Sequence, residues 1–113
     1  MTRSRIPHFY KMSVAERVRA VRDRGLLSET DFDMLSAGQT TLGLQAADKM
    51  IENVIGVLGM PVGLGLNFLI NGKEYVVPMA VEEPSIVAAI SAAAKLARAS
   101  GGFTTSSTPP VLI

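Results

Sequence analysis

A chain of 113 residues is bounded to one domain with a modest core, and 48% apolar beside 19% charged residues excludes intrinsic disorder. The absence of cysteine excludes disulfides, thiolate zinc sites and redox thiol chemistry. The formal net charge is only +1, yet seven of the eleven Lys and Arg precede residue 25, so the N-terminal segment is basic.

Met1 to Met12 carries charge without the apolar run a secretory leader needs, and the expected location is cytoplasmic. Ser13-Val-Ala-Glu16 has capping-box spacing, and Val14, Val18 and Val21 then share one helical face up to a stop at Gly25. Ser28-Glu-Thr-Asp31 predicts a second cap ahead of Phe32, Met34 and Leu35. Leu42 to Val54 carries a third helical pattern through Leu44, Ala47, Met50, Ile51 and Val54. The uncharged stretch Val54 to Leu66 holds 13 residues, broken by four glycines and a proline, which is too short for a membrane span.

After Pro61 the period changes to two: Leu64, Leu66, Phe68 and Ile70 alternate, Asn71-Gly72 follows, and Tyr75, Val77 and Met79 alternate again. This predicts a β-hairpin closed by a type I′ turn, with Pro78 marking the returning strand as an edge or as ending there. Pro84 suits the first turn of a helix, expected over Ser85 to Ser100 and closed by Gly101-Gly102. Its many alanines allow close approach of a neighbour. Phe103 to Ile113 ends in three apolar residues that look like the start of another strand. The fold class is α+β.

Glu82 and Glu83 fall between the apolar run Val76 to Val81 and the helix beginning near Ile86. Acidic groups at a helix N-terminus favour the macrodipole by about 0.3 to 1 kcal/mol, which is one reading. The other is that at least one carboxylate is partly desolvated, which raises its pKa and makes it a general acid, with Ser85 and nearby amides meeting an anionic ligand. Gly56, Gly59, Gly63 and Gly65 complete no dinucleotide or Walker loop and read as packing glycines. His8, the single histidine, has no second ligand at local spacing, so no metal site is expected. The basic N-terminus lacks the aromatic interleaving of a nucleic-acid surface and reads as a solvated helix face or a phosphate contact, although a nucleic-acid-binding domain is the reading it would support.

"ENVIG" at Glu52 to Gly56, then "INGKEYVVPMAVEEPSIVAA" and "GGFTTSS" at 101 to 107, closely resemble 3-hydroxy-3-methylglutaryl-coenzyme A (HMG-CoA) reductases of the bacterial class II form. The resemblance starts from "SRIPHFYKMSVAERV" and runs over nearly the whole chain. It implies an N-terminal part, residues 1–113, of a large substrate-binding domain, with NADH or NADPH bound by a smaller inserted domain absent from this chain. It also implies a homodimer or higher oligomer with active sites at the interface, converting HMG-CoA to mevalonate and coenzyme A or the reverse. Residue by residue, Glu83 matches the catalytic glutamate, Ser85 a contact to the hydroxymethylglutaryl carboxylate, and Lys11 a cation near the coenzyme A phosphates. Glu52, Asn53, Val54, Ile55 and Gly56 match the dimerisation motif. The family's catalytic lysine, aspartate and histidine have no counterpart here, so the chain alone is expected to be inactive. The competing reading is a non-catalytic association module.

Overall fold

Ser13 starts the first helix as its spacing predicts, because each end of the capping box finds an orphan donor. Its Oγ accepts from the Glu16 amide at 3.3 Å, and Glu16 Oε2 accepts from the Ser13 amide at 2.7 Å. The hydrogen bonds from Ser13, backbone first, hold the Glu16 carboxyl below its ordinary value. The computed structural model describes residues 3–38 and 42–110, which divide between two compact units. The first unit holds residues 7–61.

In that unit a 3₁₀ turn, Phe9–Lys11, precedes α1 (Val14–Arg22) and α2 (Glu29–Ser36). Ser28 caps α2 by accepting from the Asp31 amide at 3.1 Å. The two helices pack together, Val21 of α1 is buried, and the Arg22 guanidinium stacks on the Phe32 ring 4.0 Å from its centre. The expected apolar face of α1 is incomplete, since Val14 at its start is exposed. The third helix is much shorter than its periodicity predicts: α3 covers only Leu44–Ala47. Met50 and Ile51 find nothing among the described residues of the unit to bury against and stay exposed, and Asn53 turns left-handed at φ 58°. Helix this short needs tertiary packing of its apolar stripe to propagate, and that packing is missing.

The second unit holds residues 3–6 and 62–110 among those described. β1 (Val62–Ile70) and β2 (Lys73–Ala80) pair antiparallel, and α4 (Ile86–Ala99) packs along β1. Asn71 and Gly72 close the hairpin with φ of 49° and 76°, the two positive angles of the predicted type I′ turn. Pro78 does lie in an edge strand, which continues to Ala80. The alternation in β1 differs from the sequence expectation. Gly65 pairs with Val77 and Phe68 with Tyr75, so Leu66 and Asn67 both stand opposite Val76 in a β-bulge. Leu64 and Phe68 therefore lie on opposite faces, and it is Gly65 whose missing Cβ leaves room for the Phe68 ring and the Met79 sulfur.

The bulge exists because it is held from outside the hairpin. Ser91 Oγ accepts from the Leu66 amide at 3.0 Å and donates to the Val87 carbonyl at 2.8 Å. Asn67, left-handed at φ 69°, donates its side-chain amide to the Ser91 carbonyl and its backbone amide to the Ser4 carbonyl, both at 3.0 Å. Beyond α4, Gly101 and Gly102 reverse the chain at φ 100° and 85°, as their position predicts. A Cβ on Gly102 would stand 2.3 Å from the Leu69 carbonyl oxygen, so only glycine fits. Phe103 then bridges Ile70 in parallel, its ring 6.0 Å from that of Phe68. The predicted strand start at 111–113 lies outside the described residues.

The N-terminal strap closes this unit. Ser4 is 1% exposed; its Oγ accepts from Arg98 Nη1 at 3.1 Å and donates to Glu74 Oε1 at 3.3 Å. Glu74 also accepts the Arg3 amide at 2.7 Å and forms an ion pair with Arg98. Burial pushes the Glu74 carboxyl up, but the hydrogen bond from Arg98, the Arg3 amide, the Arg98 charge and Ser4 together hold it below its ordinary value of 4.5.

A carboxyl depressed in the folded state stabilises fully above its unfolded pKa, and the contribution vanishes as pH falls through the folded value. Stability of this unit is therefore expected to drop as pH descends below about 4.5. Denaturant titrations across that range should show the drop in wild type and a shallower one in Glu74→Gln.

Candidate functional site at the strand-to-helix junction

β2 ends at Ala80 and α4 begins at Ile86, leaving Val81 to Ser85 to turn the chain. Pro84 fixes its own φ and disfavours helix at Glu83, which keeps the helix from starting upstream of it; α4 begins at Ile86, one residue after the expected start. Ser85 is not its first residue. It occupies the N-cap position in the left-handed region, φ 71° and ψ −12°, with no capping bond from its side chain. An N-cap serine ordinarily adopts extended angles and spends its hydroxyl on a first-turn amide. Here the Ser85 carbonyl accepts the Ala89 amide at 2.8 Å, and the hydroxyl makes no capping bond. A non-glycine residue in this region costs about 1 to 3 kcal/mol, and such positions cluster at functional sites.

Glu82, Glu83, Pro84 and Ser85 are all exposed. This corrects the expectation that at least one carboxylate is partly desolvated: α4 packs along β1, and nothing among the described residues of the unit covers the junction. Both carboxylates stand just before the α4 N-terminus, where the helix dipole favours negative charge. The junction thus brings together two carboxylates and a hydroxyl released from capping.

Lys11 belongs to the other unit. It closes the 3₁₀ turn, exposed, with its ammonium 5.8 Å from the Tyr10 ring centre. Other cations of the basic N-terminus are engaged by the backbone. Arg17 donates to the carbonyls of Phe9 and Tyr10, and Arg24 to that of Ala20. Glu52 to Gly56 follow α3 as an irregular segment. Ile55 is fully exposed, Val54 half-buried and Asn53 left-handed, beside a depression lined by Leu44, Gln45, Asp48, Val54 and Ile55. With Met50, Ile51 and Leu58 also exposed, this is a run of apolar side chains left in water.

Among the described residues no three His, Asp or Glu side chains converge for a metal. No helix among them is long and apolar enough to cross a membrane. Among the described residues no dinucleotide loop is formed either. Gly63 makes room for the Val87 side chain and Gly65 for Phe68, so the glycines nearest a nucleotide-loop pattern are spent on packing. The cluster of Ser4, Glu74 and Arg98 was missed in sequence. A signal was present: Arg98 follows Ser91 and Ala94 on the inward stripe of α4, where a charge demands a partner.

Residues 13–113 match a family model described as hydroxymethylglutaryl-coenzyme A reductase. A 3-hydroxy-3-methylglutaryl-coenzyme A reductase of Archaeoglobus fulgidus is 55% identical over 111 residues, 97% of this chain and 25% of the relative. A probable enzyme of the same name from Borreliella burgdorferi is 40% identical over 89 residues, 79% of this chain and 20% of its own. The solved class II reductase of Streptococcus pneumoniae, bound to NADPH in open conformations, superposes with a TM-score of 0.81 at 39% identity, covering 87% of this chain and 26% of that one. The chain thus spans about a quarter of the length of these proteins.

Relief of the left-handed serine gives a direct check on the junction. Ser85→Gly is expected to stabilise by about 1 kcal/mol, because glycine adopts αL without a Cβ penalty, whereas Ser85→Ala keeps the penalty and gains nothing. Denaturation midpoints of the two variants measure the difference.

Proposed function

The chain belongs to the hydroxymethylglutaryl-coenzyme A reductase family, and on that premise we propose that residues 1–113 form part of the large, substrate-binding domain of such an oxidoreductase, with Glu83 as its proton donor. The reaction is interconversion of HMG-CoA with mevalonate and coenzyme A through two hydride transfers. The observation that carries the reading is the junction itself: Glu83 two residues from a left-handed Ser85 whose hydroxyl is free of capping. Ser85 binds the hydroxymethylglutaryl carboxylate, and Lys11 lies near the coenzyme A phosphates. At the aldehyde level the carboxyl of Glu83 releases its proton to the carbonyl oxygen, which becomes the alcohol, and Glu83 is left as a carboxylate. Reduced nicotinamide, NADH or NADPH, supplies hydride when bound, on a domain outside this chain.

Exposure of Glu83 sets a condition on this role. A carboxyl donates near neutral pH when a covering surface takes it out of water. The cover comes from the remaining enzyme and from a second subunit, with Glu52 to Gly56 and the exposed apolar side chains around them forming the dimer contact. The assembled enzyme is read as cytoplasmic. An association module without catalysis is the second reading, favoured by the same exposed run from Met50 to Leu58.

In a full-length enzyme, Glu83→Gln is expected to lower kcat by about a hundredfold or more. The KM for the acyl-CoA should change little, and sedimentation should show the dimer intact. Unchanged turnover would move the assignment to the association reading. The purified 113-residue chain, given HMG-CoA, should oxidise neither NADH nor NADPH, as absorbance of the reduced nicotinamide will report.

A further inference from the structure

The tip of the hairpin carries a chemistry of its own, independent of the catalytic reading of Glu83. Asn71 is followed by glycine in an exposed turn, and a Cβ added at Gly72 would meet nothing within 4 Å, so no neighbouring atom crowds Gly72 on its Cβ side. The Asn71 side chain also clamps the segment that returns after α4. Its Nδ2 donates to the Thr105 carbonyl and to Thr105 Oγ1, each at 3.0 Å, and its Oδ1 accepts the Thr105 amide at 2.9 Å. Alongside, the Asn71 amide donates to the Phe103 carbonyl at 2.8 Å.

We propose that Asn71-Gly72 is a site of spontaneous deamidation that releases the segment around Thr105 from the hairpin. The Gly72 nitrogen attacks Asn71 Cγ; the N–Cγ bond forms, the Cγ–Nδ2 bond breaks, and ammonia leaves with the proton from Gly72. Water then opens the resulting succinimide to aspartate or isoaspartate. The other asparagines precede bulky residues, Asn53 before Val54 and Asn67 before Phe68, and their ring closure is hindered. The product carboxylate keeps an acceptor for the Thr105 amide but has no N–H for the Thr105 carbonyl, so two acceptors face one another where a donor and acceptor had met. Isoaspartate adds a methylene to the backbone and breaks the I′ geometry as well. The clamp is its own guard, because the side chain must leave Thr105 before Cγ can reach the Gly72 nitrogen.

The test uses full-length enzyme held at mildly alkaline pH, native and in denaturant, with peptide mass spectrometry. Asn71 should convert before Asn53 or Asn67, and more slowly in the native protein than in the denatured one. Equal native and denatured rates, or an intact Asn71 while another asparagine converts, overturn the proposal. Asn71→Asp reports the release separately: amide exchange at Thr105 and Phe103 should quicken about fivefold, the factor carried by one net hydrogen bond. Unchanged exchange in a folded Asn71→Asp protein refutes the clamp, and Thr105→Ala, which removes one acceptor, should hasten deamidation of the native protein or count against the guard.

Discussion

Arg98 and Glu74 meet half-buried at the point where the end of α4, the start of β2 and the N-terminal strap come together, and buried Ser4 joins both. The hairpin-and-helix unit has little else of comparable reach. Its buried apolar side chains are few among the described residues: Ile6, Leu66 and Ala94. A small core leaves polar ties to specify which surfaces meet, and removing one partner would leave the other charge partly desolvated and uncompensated. The strap held by this cluster also delivers the Ser4 carbonyl to Asn67, so the ion pair and the β-bulge are consequences of one arrangement.

Legibility in the sequence followed the range of the interactions. The Ser13 and Ser28 caps, the Asn71-Gly72 turn and the Gly101-Gly102 stop are decided within a few residues, and each lies where its spacing places it. The bulge depends on Ser91, 25 residues from Leu66, and the strap depends on Glu74 and Arg98, 70 and 94 residues from Ser4. No local period carries such information. α3 failed for the complementary reason: its apolar stripe is present, but the surface that would extend it is not among the described residues of the unit. The family was legible because "ENVIG", "EEPSIVAA" and "GGFTTSS" are long, ordered motifs, whereas the residue types at the junction permitted a helix-dipole role equally well.

Exposed Glu83 and exposed Ile55 pose one physical problem in two forms. A carboxylate near an apolar run and a row of apolar side chains in water are both surfaces without a counterpart in these residues. The chain spans about a quarter of its relatives' length, and the proposed role for Glu83 requires that what covers it come from beyond these residues. The left-handed Ser85 points the same way. Its side chain makes no capping bond to offset the cost, which is of the kind that persists where surrounding structure over-determines it.

The bulge acts as a phase shift written into β1. Upstream of Leu66 and Asn67 the odd positions Gly63 and Gly65 share a face; downstream that face passes to the even positions Phe68 and Ile70. Deletion of Leu66 or Asn67 would restore plain alternation in the same register, with Gly65 and Phe68 still on one face and Val62 and Leu64 still on the other. Straightening β1 with every residue kept is the costly change, because it would carry Val62 and Leu64 to the side of Phe68 and exchange inside for outside over the segment leading in from Pro61.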